Sequence, residues 1–155
     1  MVVAVFADSH GEIEAMCAAV DENRPDLVLH LGDYVRDADE LRRLYPRLDI
    51  RSVRGNCDAW DPSDAPDSLQ FNADGVTIYM THGHRQMVKQ SLEPLANTVH
   101  FSGAALGLFG HTHSPEYRKM GDVTLFNPGS VGRGRRSYGL IFVKGREFRC
   151  AIHQV

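Results

Sequence analysis

Five short stretches bring together side chains able to hold a metal ion: Asp8-Ser9-His10, Gly32-Asp33, Gly55-Asn56, His82-Gly83-His84 and Gly110-His111-Thr112-His113. Taken together, Asp8, His10, Asp33, Asn56, His82, His111 and His113 offer imidazole nitrogens and oxygens, with no thiolate. Such a set suits Mn²⁺, Fe²⁺, Ni²⁺ or Zn²⁺, and not Ca²⁺, which prefers an all-oxygen cage. Seven donors are too many for one tetrahedral ion with an open position. They suit two divalent ions that share a bridging carboxylate.

The elements that position these groups follow from the pattern around them. Each stretch closes an apolar run: residues 2–7, 27–31, 50–54, 76–81 and 106–109. The first, continuous and β-branched, reads as a buried strand, and the others read as further strands. In layered α/β sheets, ligands gather at the carboxyl ends of such strands. Asp8 and His10, two residues apart, are expected to point the same way from an extended strand end, as are His111 and His113. Helices are expected over residues 11–23, 38–44 and 86–98, the last containing Pro94. The first two link strands 2–7, 26–31 and 49–54 into parallel strand–helix–strand units. Ala73-Asp74-Gly75 joins 69–72 to 76–81 as a hairpin, and strands 105–109, 123–126, 138–143 and 147–153 follow. Parallel units followed by antiparallel strands predict two packed sheets flanked by helices, in a single domain spanning 1–155.

Composition excludes several function classes. Lys+Arg number 17 against 20 Asp+Glu, a net charge of −3, which argues against a nucleic-acid or anionic-membrane partner. No apolar run approaches the ~18 residues of a membrane span. Asp8 and His10 interrupt the first apolar run too early for a signal peptide. Cys17, Cys57 and Cys150 are odd in number, widely spaced and without a CxxC pair, so a reduced, cytoplasmic setting is expected.

The stretches Ala7-Asp8-Ser9-His10-Gly11, Gly55-Asn56-Cys57-Asp58, Thr81-His82-Gly83-His84, Gly110-His111-Thr112-His113 and Asn127-Pro128-Gly129-Ser130 span nearly the whole chain. As a set they resemble the calcineurin-like metallophosphoesterase superfamily, and most closely its small stand-alone, YfcE-type phosphodiesterase branch. The resemblance implies a four-layer α-β-β-α sandwich of two mixed sheets flanked by helices. It implies that Asp8, His10, Asp33 and His113 hold one ion, and that Asn56, His82 and His111 hold the other, with Asp33 as the bridge. Hydroxide held between the two ions would attack phosphorus in line. A net positive centre attracts a phosphate ester despite the acidic surface. The implied partner is a small phosphodiester, with a phosphomonoester as the alternative and Mn²⁺ as the assay metal. A dimer or tetramer is compatible with the branch. A non-catalytic binding module on the same fold is the other alternative, but it would require lost ligands, and all seven are present.

One position departs from many superfamily members. Where they carry His after the Asn ligand, this chain has Cys57, a poor proton donor. Asn56, Asp58 and His84 are the remaining catalytic candidates: Asp58 to orient a group or a metal-bound water, Asn56 to contact substrate, and His84 either to contact substrate or simply to pack. His30 lies within a strand and reads as a hydrogen-bonded core residue. His100 and His153 read as surface residues, and Cys17 and Cys150 as core. Arg133, Arg135 and Arg136 form a basic run that could grip phosphate or simply face solvent. Trp60 and Phe101 could line a cleft or cap a core edge.

Overall fold

The computed structural model describes residues 1–155. In chain order the elements are β1 (Val2–Phe6), α1 (Ile13–Asn23), β2 (Leu27–His30), α2 (Val35–Leu44), β3 (Asp49–Ser52), a 3₁₀ turn (Asn56–Asp58), β4 (Ser68–Ala73), β5 (Val76–Thr81), α3 (Glu93–Ser102), β6 (Leu106–Leu108), β7 (Glu116–Met120), β8 (Val123–Asn127), β9 (Ser137–Lys144) and β10 (Glu147–Gln154). They build two mixed sheets, ordered β10-β9-β1-β2-β3 and β4-β5-β6-β8-β7. β1, β2 and β3 are parallel, in registers running from Val3↔Leu27 and Leu27↔Asp49. β5, β6 and β8 form the parallel centre of the second sheet.

The alternation of side chains along β1 explains the layering. Val3 and Val5 point into a core shared with Leu29, Ile78, Met80, Leu106 and Leu108, which cements the two sheets face to face. Ala4 and Phe6 point the other way, against Met16, Val20 and Leu41 of α1 and α2. A third core packs Leu95, Ala96 and Val99 of α3 onto Val123, Leu125 and Phe109 beside the second sheet. The result is the expected four-layer α-β-β-α sandwich. Each fully buried aliphatic side chain contributes about 1.5–3 kcal/mol, so these three seams hold the strand ends in place. No helix is long and apolar enough to cross a membrane.

The sequence expectations need correction in three places. The helix expected over 86–98 instead runs Glu93–Ser102: Pro94 sits in its first turn, where its missing N–H costs nothing, and residues 86–90 form turns. α2 begins at Val35, ahead of the expected 38, because a distant carboxylate caps it: Asp58 Oδ1 accepts from the N–H groups of Tyr34 (2.8 Å) and Val35 (2.9 Å). β7 was not expected, because its Glu-Tyr-Arg-Lys-Met run lies on a half-exposed sheet edge and lacks an apolar stripe. The Asp74-Gly75 hairpin forms as expected, with Ala73 paired to Val76 and positive φ at both loop residues, 47° and 97°. Cys17 and Cys150 lie partly buried at the margins of two cores.

Candidate metal centre

The carboxyl ends of β1, β2 and β5 and the loop after β6 converge on one spot between the sheets. Asp8, His10, Asp33 and His113 each present one ligand atom there, all within 4.8 Å of one another. His113 Nε2 lies 3.4 Å from Asp8 Oδ1. On the other side of Asp33, His82 Nε2 stands 3.5 Å from Asp33 Oδ1 and 3.1 Å from Asn56 Oδ1. The His111 ring stacks edge-on against His82 at 5.1 Å. All seven expected donors therefore gather in two adjoining groups, joined at Asp33 and, at 3.9 Å from His82 Nε2, at Asp8 Oδ1.

The way Asp8 and His10 come together differs from the expectation. β1 ends at Phe6, and the two residues do not lie on an extended strand: both adopt left-handed backbone, with φ 50° and 47°. Asp33, His111 and His113 do the same, at 54°, 67° and 60°. Left-handed conformations cost a non-glycine residue of order 1–3 kcal/mol each, and they persist only where the surroundings over-determine them. Five of the seven donors sit in this state, so curled loops, and not strand geometry, aim them inward.

Main-chain and side-chain hydrogen bonds impose these curls. His111 N–H donates to Asp8 Oδ2 (3.1 Å), and Ser130 Oγ–H donates to the Asp8 carbonyl (2.8 Å). Asn127 Nδ2 donates to the Gly110 carbonyl and to Thr112 Oγ1, both at 3.0 Å, which ties down the His111–His113 loop. Asn127 to Ser130 is thus a brace for both ligand loops, a role that turn propensity alone does not reveal. Ser9, buried between two candidate ligands, donates through Oγ to Asp37 Oδ2 (2.6 Å), and the Gly11 N–H reaches the same oxygen (2.7 Å). Asp37 lies in the first turn of α2, where a carboxylate is favoured. The sequence reading missed it, since the helix was expected to begin only at residue 38.

His30 completes this buried network, as expected for a core histidine. Ser9 gives its proton to Asp37, so His30 Nε2–H must donate to Ser9 Oγ (2.9 Å), and Nδ1 accepts from the Gly32 N–H (3.3 Å). The neutral ring is fully satisfied. Burial pushes its pKa down to about 4 from 6.5. The unfolded chain therefore binds a proton that the folded one refuses, and stability falls as pH drops from about 6.5 to about 4. A shift of this size corresponds to about 3 kcal/mol. In chelated protein, urea unfolding across that window should show wild type losing stability more steeply than His30→Gln. Parallel pH slopes would remove His30 from the account.

Three features mark the cluster as built for a cation. Asp8 Oδ1 and His10 Nε2 are buried without any hydrogen-bond partner, which burial alone makes costly. His82 Nδ1–H donates to the Leu31 carbonyl at 2.7 Å, which leaves Nε2 with a lone pair facing another acceptor, Asn56 Oδ1. A neutral imidazole has one N–H for these two acceptors, and burial lowers the His82 pKa, so imidazolium does not resolve the conflict. A metal ion at Nε2 resolves it, as does an Asn56 amide turned to present Nδ2–H to the ring. In the absence of an ion, burial and then the Asp33 carboxylate push Asp8 up to about 8. Burial also pushes Asp33 up, but the neighbouring His82 and the Cys57 N–H (2.9 Å from Oδ1) hold it below the usual carboxylate range. Burial lowers His10, His111 and His113, so these rings are neutral at pH 7 and each has a nitrogen lone pair to offer.

The remaining candidates separate in their roles. Both Asp58 oxygens are occupied by main-chain donors, Oδ1 by Tyr34 and Val35 and Oδ2 by Gly55 N–H (2.8 Å). Asp58 therefore clamps the Gly55–Asn56 turn to the start of α2, with one lone pair of Oδ2 remaining. His84 stands beside His82 at 5.3 Å with Nδ1 buried and unpartnered. Burial, then the nearby Asp33 carboxylate, pushes Cys57 up to about 11, so it is a neutral thiol. The basic run divides: Arg136 pairs with Glu12 (2.9 Å), whereas Arg133 faces a cleft beside His10. Trp60 lines that same cleft, and Phe101 lies exposed on α3.

Comparison with known proteins agrees with this geometry. The chain is 34% identical over 134 residues to a probable metallophosphoesterase, YsnB, of Bacillus subtilis, covering 84% of this chain and 75% of that one. It is 24% identical over 170 residues to a phosphodiesterase of Methanocaldococcus jannaschii, covering 96% and 97%. A crystal structure from Streptococcus pneumoniae, described as a predicted phosphoesterase, superposes with a TM-score of 0.83 at 27% identity, covering 99% of this chain and 88% of that one. The family model of the calcineurin-like phosphoesterase superfamily domain matches residues 1–144, and the chain belongs to that superfamily.

Proposed function

We propose that the chain is a phosphodiesterase that hydrolyses small phosphodiesters with two divalent metal ions, Asp8, His10, Asp33 and His113 holding one and Asp33, Asn56, His82 and His111 the other. The observation that carries this reading is the crowding of donor atoms in one buried place: Asp8 Oδ1 and His10 Nε2 have no hydrogen-bond partner, and Asp33 Oδ1 and Asp8 Oδ1 stand 3.5 Å and 3.9 Å from His82 Nε2. Divalent ions in such a site supply a water of lowered pKa and Lewis-acid polarisation of the phosphoryl oxygens. Asp33 is shared by both groups, and its main-chain bond from Cys57 fixes the carboxylate that would bridge them. Asn56, 3.1 Å from His82 Nε2, and the neutral His84 ring beside His82 are the groups that would contact the phosphoryl oxygens. Asp58 and Asn127 keep the ligand loops in register. The three unpaired thiols fit a reducing, cytoplasmic setting.

Cys57 shapes the leaving-group preference. A proton donor works best with a pKa near the working pH, and a thiol held at about 11 is far from it. Aryl diesters, whose leaving group departs without help, should react faster than alkyl ones. Cys57→Ser should cost well under the ~10²–10⁴ that loss of a general acid costs. A flat dependence of kcat/KM on leaving-group pKa, lost together with activity in Cys57→Ser, would make the thiol the acid.

The decisive experiment removes and restores metal. After exhaustive chelation, with metal content checked by elemental analysis, turnover of bis(p-nitrophenyl) phosphate should vanish. Mn²⁺ should restore it at close to two ions per chain, and Ca²⁺ should not. p-Nitrophenyl phosphate in the same assay decides between diester and monoester. Full turnover by demonstrably metal-free protein would end the proposal.

A further inference from the structure

The cleft beside His10 contains features that hydrolysis of a minimal diester does not need. Its volume, about 510 Å³, lies within the roughly 300–1,000 Å³ range of small-ligand sites. Trp60, the chain's only tryptophan, stands on its lip 97% exposed. An indole left fully in water is unusual for a large apolar ring. Its loop is nonetheless firmly held: Arg54 Nη2 donates to the carbonyls of Asp58 (2.8 Å) and Asp61 (2.7 Å), which bracket Trp60, and Asp61 N–H donates to the Asp58 carbonyl (3.0 Å). The backbone is fixed while the ring stays free, which is the condition for a stacking platform. Tyr34 touches the His10 ring edge-on at 4.9 Å and carries the Arg36 guanidinium over its face at 4.5 Å. Arg36 and Arg133 both line the cleft, and neither is neutralised by an acidic partner. Asp61 is the one carboxylate at the rim with a free oxygen, since its Oδ1 accepts from Ser63 N–H (2.8 Å).

We infer that this cleft is a nucleotide subsite, in which a nucleobase stacks on Trp60 and a phosphate other than the scissile one sits between Arg36 and Arg133. The inference rests on the phosphodiesterase reading, because it places the scissile diester at His10 and the metal cluster. An aromatic face supplies stacking that every base can use, and guanidinium groups match phosphate oxygens in pairs. Aromatic and cationic groups in one cleft select a ligand that carries both an aromatic ring and an anionic group. A nucleotide does; a simple alkyl phosphate or a neutral aryl group does not.

Because Trp60 is the sole tryptophan, its emission reports the subsite directly and without turnover. In chelated protein, adenosine diphosphate should quench that emission with saturation, and ribose 5-phosphate should not quench it. Arg36→Ala and Arg133→Ala should each weaken the adenosine diphosphate affinity about tenfold, the usual scale for a charge-assisted hydrogen bond. Linear, unsaturable quenching equal to that of free N-acetyltryptophanamide would overturn the subsite. With Mn²⁺ added, two esters sharing one leaving group provide the second arm: the p-nitrophenyl ester of thymidine 5′-phosphate and methyl p-nitrophenyl phosphate. Trp60→Ala should raise the ratio of their KM values about tenfold, consistent with the loss of one base–aromatic stack. An unchanged ratio would also overturn the subsite. If wild type hydrolyses neither ester, the phosphodiesterase reading fails instead, and the quenching arm still decides the subsite.

Discussion

Asp33→Asn is expected to abolish phosphodiester turnover and to strip metal from the protein while leaving the fold intact. Asp33 is the better placed carboxylate to serve both groups of candidate ligands: it lies in the set with Asp8, His10 and His113, and its Oδ1 is 3.5 Å from His82 Nε2, against 3.9 Å for Asp8 Oδ1. An amide keeps the shape but loses the charge that offsets two cations. Losing several kcal/mol of transition-state charge stabilisation corresponds to a rate loss of about 10³-fold or more. His82→Ala should also lose turnover, but by less, since it serves a single ion. Circular dichroism should be unchanged, because the carboxylate Oδ1–Cys57 N–H contact is a small part of a large hydrogen-bonded frame. Elemental analysis and kcat, measured on the same preparation, give the answer. Both ions retained at a near-normal rate would remove Asp33 as the bridge.

Gly55→Ala should have an effect of similar kind without removing any chemical group. The backbone at Gly55 is extended, with φ −100° and ψ −178°, a conformation alanine adopts freely. On backbone grounds alone the substitution would be neutral or slightly stabilising. Space forbids it: a Cβ there would fall inside the contact distance of Asp33 Oδ1 and of the Asp33 main-chain nitrogen, and 2.9 Å from Asp33 Cγ. Asp33 must move, and a misplacement of about 1 Å at a reacting centre can cost 10²-fold in rate. Overpacking should cost about 1–3 kcal/mol of stability, so the chain remains folded for measurement. The expected result is a folded protein with reduced metal content and kcat down about 100-fold. Wild-type metal content and rate in Gly55→Ala would show that the β2–β3 loop pair yields more easily than its packing suggests.

The candidate site of this protein is legible in its sequence because the capacity to hold a metal ion is a matter of residue type. Asp8, His10, Asp33, Asn56, His82, His111 and His113 each follow an apolar run, and the runs became the strands and sheet-core segments that deliver them. Parallel order, two sheets and flanking helices followed from period and connection, which are local properties. What could not be read are contacts between residues far apart in the chain. Asp58 caps α2 from 24 residues away, Asp37 holds the loop between two ligands from 28 away, and Ser130 holds the Asp8 carbonyl from 122 away. Local propensity carries no information about such partners, so α2 started early and the left-handed curl of the ligand loops went unforeseen. The residues fixed which atoms can bind a cation. Only the packed sheets decided how those atoms are aimed, because left-handed backbone is unfavourable in isolation and is held here by bonds that exist only once both sheets are in place.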